Sequence, residues 1–328
     1  MNRILIIQTA FLGDVILATP VISELKRLFP HASIDFVLKK GNESLLLNNP
    51  HLRSVFIFDK TNGKTKSLLA LTKELRKEEY DLVLNLHRFG SSGFITALSK
   101  GKKKYGFKKN PLSRLFTKRF EHAIGDGTHE VQRNLSMIKE FGAIDNVRPE
   151  LFPSQKDKLK VNPYIGEQYY CIAPASVWFT KQLPAEKWIE LIKSIDSTTQ
   201  IYLLGGPQDE TLCSEIMEKA QHPSVKSLAG ELSLLQSAEL MKFATRSFVN
   251  DSGPLHLASS VNAKVTAFFC STVTGFGFGP LSEDSKVLEV KDLDCRPCGI
   301  HGHRECPKGH FNCAKIDLSE AFVAKSKN

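Results

Sequence analysis

Three short segments of the chain combine side chains able to handle phosphate, sugar hydroxyls and protons. Each stands where an apolar run gives way to a helical pattern. In Val249-Asn250-Asp251-Ser252-Gly253-Pro254-Leu255-His256 the order reads strand, turn, helix: Gly253 offers the positive φ of a sharp turn and Pro254 suits the first turn of a helix. A helix starting there turns unpaired N–H groups and a positive dipole end toward the carboxyl edge of the strand, where open α/β sheets hold ligands. Asp251 can accept from sugar hydroxyls, while Ser252 and the N–H groups after it can donate to phosphate. The turn could therefore serve both halves of a sugar nucleotide. Helix capping by Asp251 and Ser252, with His256 packed in the first turn, is the plainer alternative.

The second segment, Pro174 to Lys181, follows the apolar run Tyr169-Tyr170-Cys171-Ile172-Ala173. Lys181 would set a compact positive charge against a diphosphate leaving group, with Ser176 and Thr180 donating hydrogen bonds. An ordinary solvated lysine is the other reading. Farther on, Gly205 and Gly206 would let backbone approach a ligand, and Asp209 or Glu210 could hold a ribose hydroxyl or simply open the next helix. The third segment is Thr9 to Asp14. Asp14 stands near the start of a helix and at the end of the first strand, placed either to cap that helix or to take a proton from an attacking hydroxyl.

Alternating elements must position these residues. Runs at 3–8, 33–38, 55–58 and 81–86 read as strands with helical patterns between them. One of those patterns is a single helix from Val15 to Leu28 that stops before Pro30. Residues 100–119 read as loop broken by Gly101, Gly106 and Pro111, 129–142 as a helix, and Pro149 to Pro163 as a linker that includes Lys156 to Lys160. A second series has strands at 169–173, 201–204, 247–249 and 265–269, the last closing its sheet, with a helix at 234–243. The fold class is α/β, with mostly parallel sheets, and two domains are expected, 1–155 and 156–328. There is no G-x-G-x-x-G fingerprint and no P-loop.

Charge divides the chain. Residues 1–150 hold 25 Lys and Arg against 15 Asp and Glu, whereas residues 151–328 hold 19 against 20. Nine of those cations, and no acid, lie between Lys100 and Arg119. An anionic partner fits the first half, with Lys102, Lys103, Lys104, Lys108 and Lys109 as its candidate contacts. Nucleic acid, an anionic membrane surface and a phosphorylated glycolipid all satisfy that, as does a merely solvated surface. No apolar run approaches the roughly 20 residues of a membrane span. Gln8 and Asp14 interrupt the apolar start, which reads as the first strand of a cytoplasmic protein rather than a signal peptide.

Taken together, Ile6 to Pro20, Trp178 to Trp188 and Asn250 to Ala258 resemble three motifs of glycosyltransferase family 9, in family order and over nearly the whole chain. The family is known for ADP-heptose:lipopolysaccharide heptosyltransferases. The resemblance implies a GT-B fold of two facing Rossmann-like domains, the first binding an acceptor and the second an ADP-sugar. It also implies inversion at the anomeric carbon without a catalytic metal or other cofactor. Carried over by position, the base falls on Asp14, the phosphate-binding lysine on Lys181 and the heptose-binding aspartate on Asp251. The Asn-Asp-Ser-Gly form and the cysteine-rich tail look closest to the heptosyltransferase II type. Cys270-Ser271-Thr272-Val273 departs from a Gly-Pro-Thr-type turn that many members have, which puts the donor contacts there in question. The implied partners are an ADP-sugar donor and the lipopolysaccharide core as anionic acceptor, met in peripheral contact with the cytoplasmic face of the inner membrane.

Cys295, Cys298, Cys306 and Cys313, interleaved with His301, His303 and His310, have ligand types and spacing that suit a structural zinc; reduced thiols packed in a loop are the alternative. Two other functions stay open. One is a GT-B enzyme using a different nucleotide sugar. The other is a non-catalytic basic nucleic-acid-binding protein, for which no RNP, zinc-finger or helix-turn-helix signal is present, so no nucleic acid partner is expected.

Overall fold

The structure, a computed structural model, describes residues 1–61 and 63–322. The chain divides into two compact units, Met1–Ile124 with Thr128–Phe152, and Gly125–Gly127 with Pro153 onward. Unit 1 contains β1 (Arg3–Gln8), α1 (Leu12–Ile16), α2 (Thr19–Leu28), β2 (Ser33–Lys39), β3 (Leu52–Phe58), α3 (Lys64–Leu75), β4 (Tyr80–Asn85), α4 (Gly90–Leu98), β5 (Gly101–Phe107), β6 (Lys118–Phe120) and α5 (Glu130–Ser136). Unit 2 contains α6 (Gln155–Val161), β7 (Tyr169–Ala173), α7 (Ala185–Lys193), β8 (Gln200–Leu203), α8 (Glu210–Ala220), β9 (Val225–Ser227), α9 (Leu234–Phe243), β10 (Arg246–Asn250), α10 (Gly253–Ser260), β11 (Val265–Phe269) and β12 (Ser285–Glu289).

Each unit is built on a six-stranded parallel sheet. The orders are β3-β2-β1-β4-β5-β6 and β12-β11-β10-β7-β8-β9, which is the same Rossmann-type winding twice and the α/β, GT-B class of fold. The order reverses between β1 and β4 in the first sheet and between β7 and β10 in the second. At such a switch point the loops leaving the two central strands part, opening a crevice at the carboxyl edge. Asp14 follows β1; Lys181 follows β7 and Asp251 follows β10.

Ile4, Leu5, Ile6 and Ile7 are all fully buried, as a central strand covered on both faces requires. In unit 2, Trp188 of α7 packs edge-on against Phe268 of β11 and donates its indole N–H to the Leu183 carbonyl at 3.0 Å. A buried side chain of this kind stabilises by roughly 1.5–3 kcal/mol. Cys313, Ile316 and Ala321 of the tail join the same core, so the C-terminal segment is part of unit 2 rather than an appendage.

Several local expectations need correction. Residues 100–119 are not loop: they form β5 and β6. Gly101 and Gly106 lie inside β5 because a Cβ would stand 2.5 Å from Val83 and 2.6 Å from Phe116. The first helix is two, since Pro20, which has no N–H to donate, occupies the first turn of α2, while Thr19 Oγ1 donates to the Ile16 carbonyl at 2.7 Å. The Lys-rich linker is helix α6, capped by Ser154 and Asp157, and the helix expected at 129–142 is only α5. The second sheet closes with β12, not β11. Gly253 has no positive φ; it is the first residue of α10, and the tight turn is made by the extended backbone of Ser252 before it.

Candidate active site

At the switch point of unit 2, Asn250 ties the two loops together. Its side chain is fully buried, donates to the Pro174 carbonyl at 2.8 Å and accepts from the Leu183 N–H at 2.9 Å. With the loops so fixed, Lys181 Nζ reaches Asp251 Oδ2 at 2.8 Å, and the Thr272 hydroxyl donates to the same oxygen at 2.6 Å. The two residues expected to divide the donor between phosphate and sugar thus hold each other. An ammonium has three donors, so the pairing leaves Lys181 capacity for phosphate oxygens. Thr180 is buried, accepts from the Ser271 hydroxyl at 3.0 Å and exchanges two bonds with the His303 backbone.

Ser252 makes no side-chain cap on α10, so the capping alternative does not account for it. In the first turn of α10 Pro254 has no N–H and the Leu255 N–H donates to the Ser252 carbonyl at 3.1 Å, so the turn's backbone offer to an anion is the Gly253 N–H. His256 is buried in that turn. Ser176 belongs to the loop after β7, where its N–H donates to Gln182 Oε1 at 3.1 Å. Asp209 behaves as a cap, accepting from the Gly206 N–H at 2.8 Å and the Gln208 amide at 3.2 Å. The space that Gly205 saves is taken by Asp209 itself, whose Cβ would lie 2.7 Å from an added Cβ.

At the switch point of unit 1, Asp14 lies in α1 and its Oδ2 accepts from the Phe11 N–H at 3.2 Å, so it does cap its helix. Its environment also perturbs it. Burial and the nearby Glu130 carboxylate push its pKa up to about 6, against the opposing pull of the Phe11 N–H and Arg88. Glu130 is itself buried at the start of α5, where it accepts from His122 Nε2 at 3.1 Å and Arg133 at 2.8 Å. The next turn of α5 reaches α1, with Asn134 Nδ2 donating to the Leu17 carbonyl at 3.4 Å. His87 follows β4 across the switch point, with Nδ1 2.8 Å from Thr9 Oγ1; burial, with Lys60 and Arg88 nearby, lowers its pKa to about 4. A carboxylate whose pKa is raised to about 6 is still mostly ionised at neutral pH and can accept a proton there.

The five candidate acceptor lysines separate along β5. Lys102, Lys103 and Lys104 occupy its N-terminal half. There Lys102 pairs with Asp81 at 2.8 Å, Lys103 lies over the Phe141 ring and Lys104 donates to the Ala97 carbonyl at 2.6 Å. Lys108 and Lys109 come after the strand, at the carboxyl edge, where Lys108 pairs with Glu121. At about 3.3 Å per residue the two groups stand roughly 16 Å apart along the strand. Other cations and aromatics reach that edge: Lys39, whose ammonium stands 5.1 Å from the Phe11 ring, Lys60, Arg88 and the exposed Phe89. Sequence reasoning passed over them, although each lies at the end of a strand or within four residues of it.

All seven cysteines are free. Cys295, Cys298 and Cys306 are half-buried and Cys313 is buried, and Cys298 Sγ donates to the Cys295 carbonyl at 3.1 Å. Among the described residues no group of three or more His, Cys, Asp or Glu side chains is arranged to hold a metal ion. No helix among the described residues is long and apolar enough to cross a membrane.

Comparison with known proteins agrees with this architecture. The chain is 29% identical to lipopolysaccharide heptosyltransferase 3 of Escherichia coli strain K12, over 79% of this chain and 80% of that one. It is 27% identical to lipooligosaccharide heptosyltransferase 2 of Campylobacter jejuni, over 99% and 98%. The solved structure of the Escherichia coli ADP-heptose LPS heptosyltransferase II superposes with a TM-score of 0.77 at 21% identity, covering 91% of this chain and 96% of that one. The sequence model of glycosyltransferase family 9 (heptosyltransferase) matches residues 68–309, a stretch that holds Lys181, Asp251 and the Cys295–Cys306 segment, and the chain belongs to that family.

Proposed function

We propose that this glycosyltransferase moves a heptose from ADP-heptose to an anionic sugar of the lipopolysaccharide inner core, with inversion at the anomeric carbon. The donor belongs to unit 2. Lys181 and the first turn of α10, with Ser252 and Gly253, take the diphosphate, and Asp251 takes sugar hydroxyls; Ser176 and Thr180 shape the loop that carries Lys181. The acceptor belongs to unit 1, whose basic excess suits a phosphorylated glycolipid. Asp14 is the base. The acceptor oxygen forms its bond to the anomeric carbon as its proton passes to Asp14, the bond from that carbon to the diphosphate breaks, and the electron pair leaves with ADP, its charge offset by Lys181. No metal enters these steps, and on this reading the tail cysteines are reduced thiols. An acceptor anchored in a bilayer would bring the protein to the cytoplasmic face of the inner membrane by peripheral contact.

The observation that carries the donor assignment is the Lys181–Asp251 pair at the unit 2 switch point, beside a helix start without a side-chain cap. The test is direct transfer of heptose from ADP-heptose to inner-core acceptor, with UDP- and GDP-sugars in parallel. Turnover with one of those and none with ADP-heptose would leave the class of reaction standing and replace the donor.

A further inference from the structure

The Lys181–Asp251 pair is held by residues far from either in sequence, and most of them lie in the cysteine-bearing tail. Arg296, between Cys295 and Cys298, has a side chain only 6% exposed. Its guanidinium donates through Nε to the Cys270 carbonyl at 2.7 Å, through Nη1 to the Val290 carbonyl at 3.0 Å, and through Nη2 to the Thr272 carbonyl at 2.6 Å and the Phe269 carbonyl at 3.3 Å. Nη2 also meets Glu289 Oε2 at 2.5 Å. The Cys298 N–H donates to the Ser271 carbonyl at 3.1 Å. Every carbonyl from Phe269 to Thr272, at the carboxyl end of β11, is therefore taken by the segment Arg296–Cys298. A planar fork with five donors can serve such a set of carbonyls; a lysine ammonium with three cannot.

The same segment reaches the other partner of the pair. The Thr180 N–H donates to the His303 carbonyl at 3.1 Å, and the His303 N–H donates to Thr180 Oγ1 at 2.8 Å. Gly302, with φ +76°, lies so close to Lys181 that an added Cβ would stand 2.9 Å from the lysine Cγ. His303 Nε2 closes the segment on itself, 2.7 Å from the Cys298 carbonyl. One stretch of chain, 296–303, thus grips the turn that carries Thr272 and the turn that carries Lys181.

We propose that Arg296 is a positioning residue for donor binding, fixing the Cys270–Thr272 turn so that the Thr272 hydroxyl aims the Asp251 carboxylate at Lys181. This rests on the reading that Lys181 and Asp251 hold the donor.

The experiment measures ADP affinity by calorimetry, and donor and acceptor KM by direct transfer, for Lys181→Ala, Arg296→Lys, Thr272→Val and Thr272→Ser in the full chain. Loss of a hydrogen bond to a charged group should weaken ADP binding about 10-fold in Thr272→Val and at least as much in Arg296→Lys, with acceptor KM unmoved. Thr272→Ser, which keeps the hydroxyl, should restore the affinity; a purely structural threonine would show no such rescue. If Lys181→Ala binds ADP like the wild type, the donor assignment itself is wrong. If Lys181→Ala loses affinity while Arg296→Lys and Thr272→Val keep it, the positioning role is overturned. A Thr272→Ser variant as weak as Thr272→Val overturns it too. Should Arg296→Lys not fold, the Thr272 pair decides, because it cuts the same chain of contacts one bond before Asp251.

Discussion

Two sheets with one winding order each carry a carboxylate past the end of a central strand at the switch point, Asp14 after β1 and Asp251 after β10, and their surroundings differ. Asp251 meets an ammonium at 2.8 Å and a hydroxyl at 2.6 Å on the same oxygen. Asp14, half-buried, meets one backbone N–H with a buried glutamate nearby, and its pKa rises to about 6. On the function proposed above, the first environment suits a carboxylate held for binding and the second one that takes a proton. The scaffold supplies the location, and the charges brought up by neighbouring elements, Glu130 of α5 in one unit and Lys181 of the β7–α7 loop in the other, set the two environments apart.

The sharpest way to break this contrast is Asp14→Asn, which keeps the cap on the Phe11 N–H but removes the base. Turnover with saturating acceptor should fall by roughly 10²–10⁴ while ADP affinity stays. A variant that keeps most of its sugar transfer would reduce Asp14 to a cap. Next in size is Lys181→Ala, which should cost on the order of 2–4 kcal/mol in the transition state, read as kcat/KM for the donor.

The raised pKa makes two pH predictions. Activity should fall as pH drops through about 6, where Asp14 becomes protonated. Glu130→Gln should move that inflection to lower pH by removing a charge that raises it. His87, with a pKa near 4, is not the group that titrates there. Stability runs the other way. The Asp14 pKa lies above its unfolded value, so the fold loses stability as pH rises from about 4 to about 6. Asp14→Asn should therefore be more stable than the wild type at pH 8, by up to roughly 3 kcal/mol, and no more stable at pH 4. Thermal melts at the two pH values check this. The smallest effects belong to the lysines. Lys108→Gln with Lys109→Gln should raise acceptor KM at low salt a few-fold, by weakening an exposed electrostatic attraction. The same change at Lys102, Lys103 and Lys104, at the far end of β5, should leave it alone.

Much of the frame could be read from pattern. Strands β7 and β11 and helix α9 have the expected limits because apolar runs or helical periods there end at turn residues. Strand β5 escaped because its exposed N-terminal half carries lysines and its glycines serve close packing, so it imitates a loop. Asp14, Lys181 and Asp251 stood out as candidates because each lies between the end of a strand and the first turn of the helix that follows. Thr272, Arg296 and Glu130 were not, since their work depends on partners that only folding brings near: Arg296 lies 24 residues from the Thr272 carbonyl it holds.

The contrast between the two carboxylate sites is tested most directly by titrating ADP, by calorimetry, into full-length Lys181→Ala and Asp14→Asn side by side. The account predicts at least a 10-fold loss of affinity in Lys181→Ala, as roughly 1.4 kcal/mol or more of binding is removed, and wild-type affinity in Asp14→Asn. Equal losses in both, or a loss in Asp14→Asn alone, would contradict it.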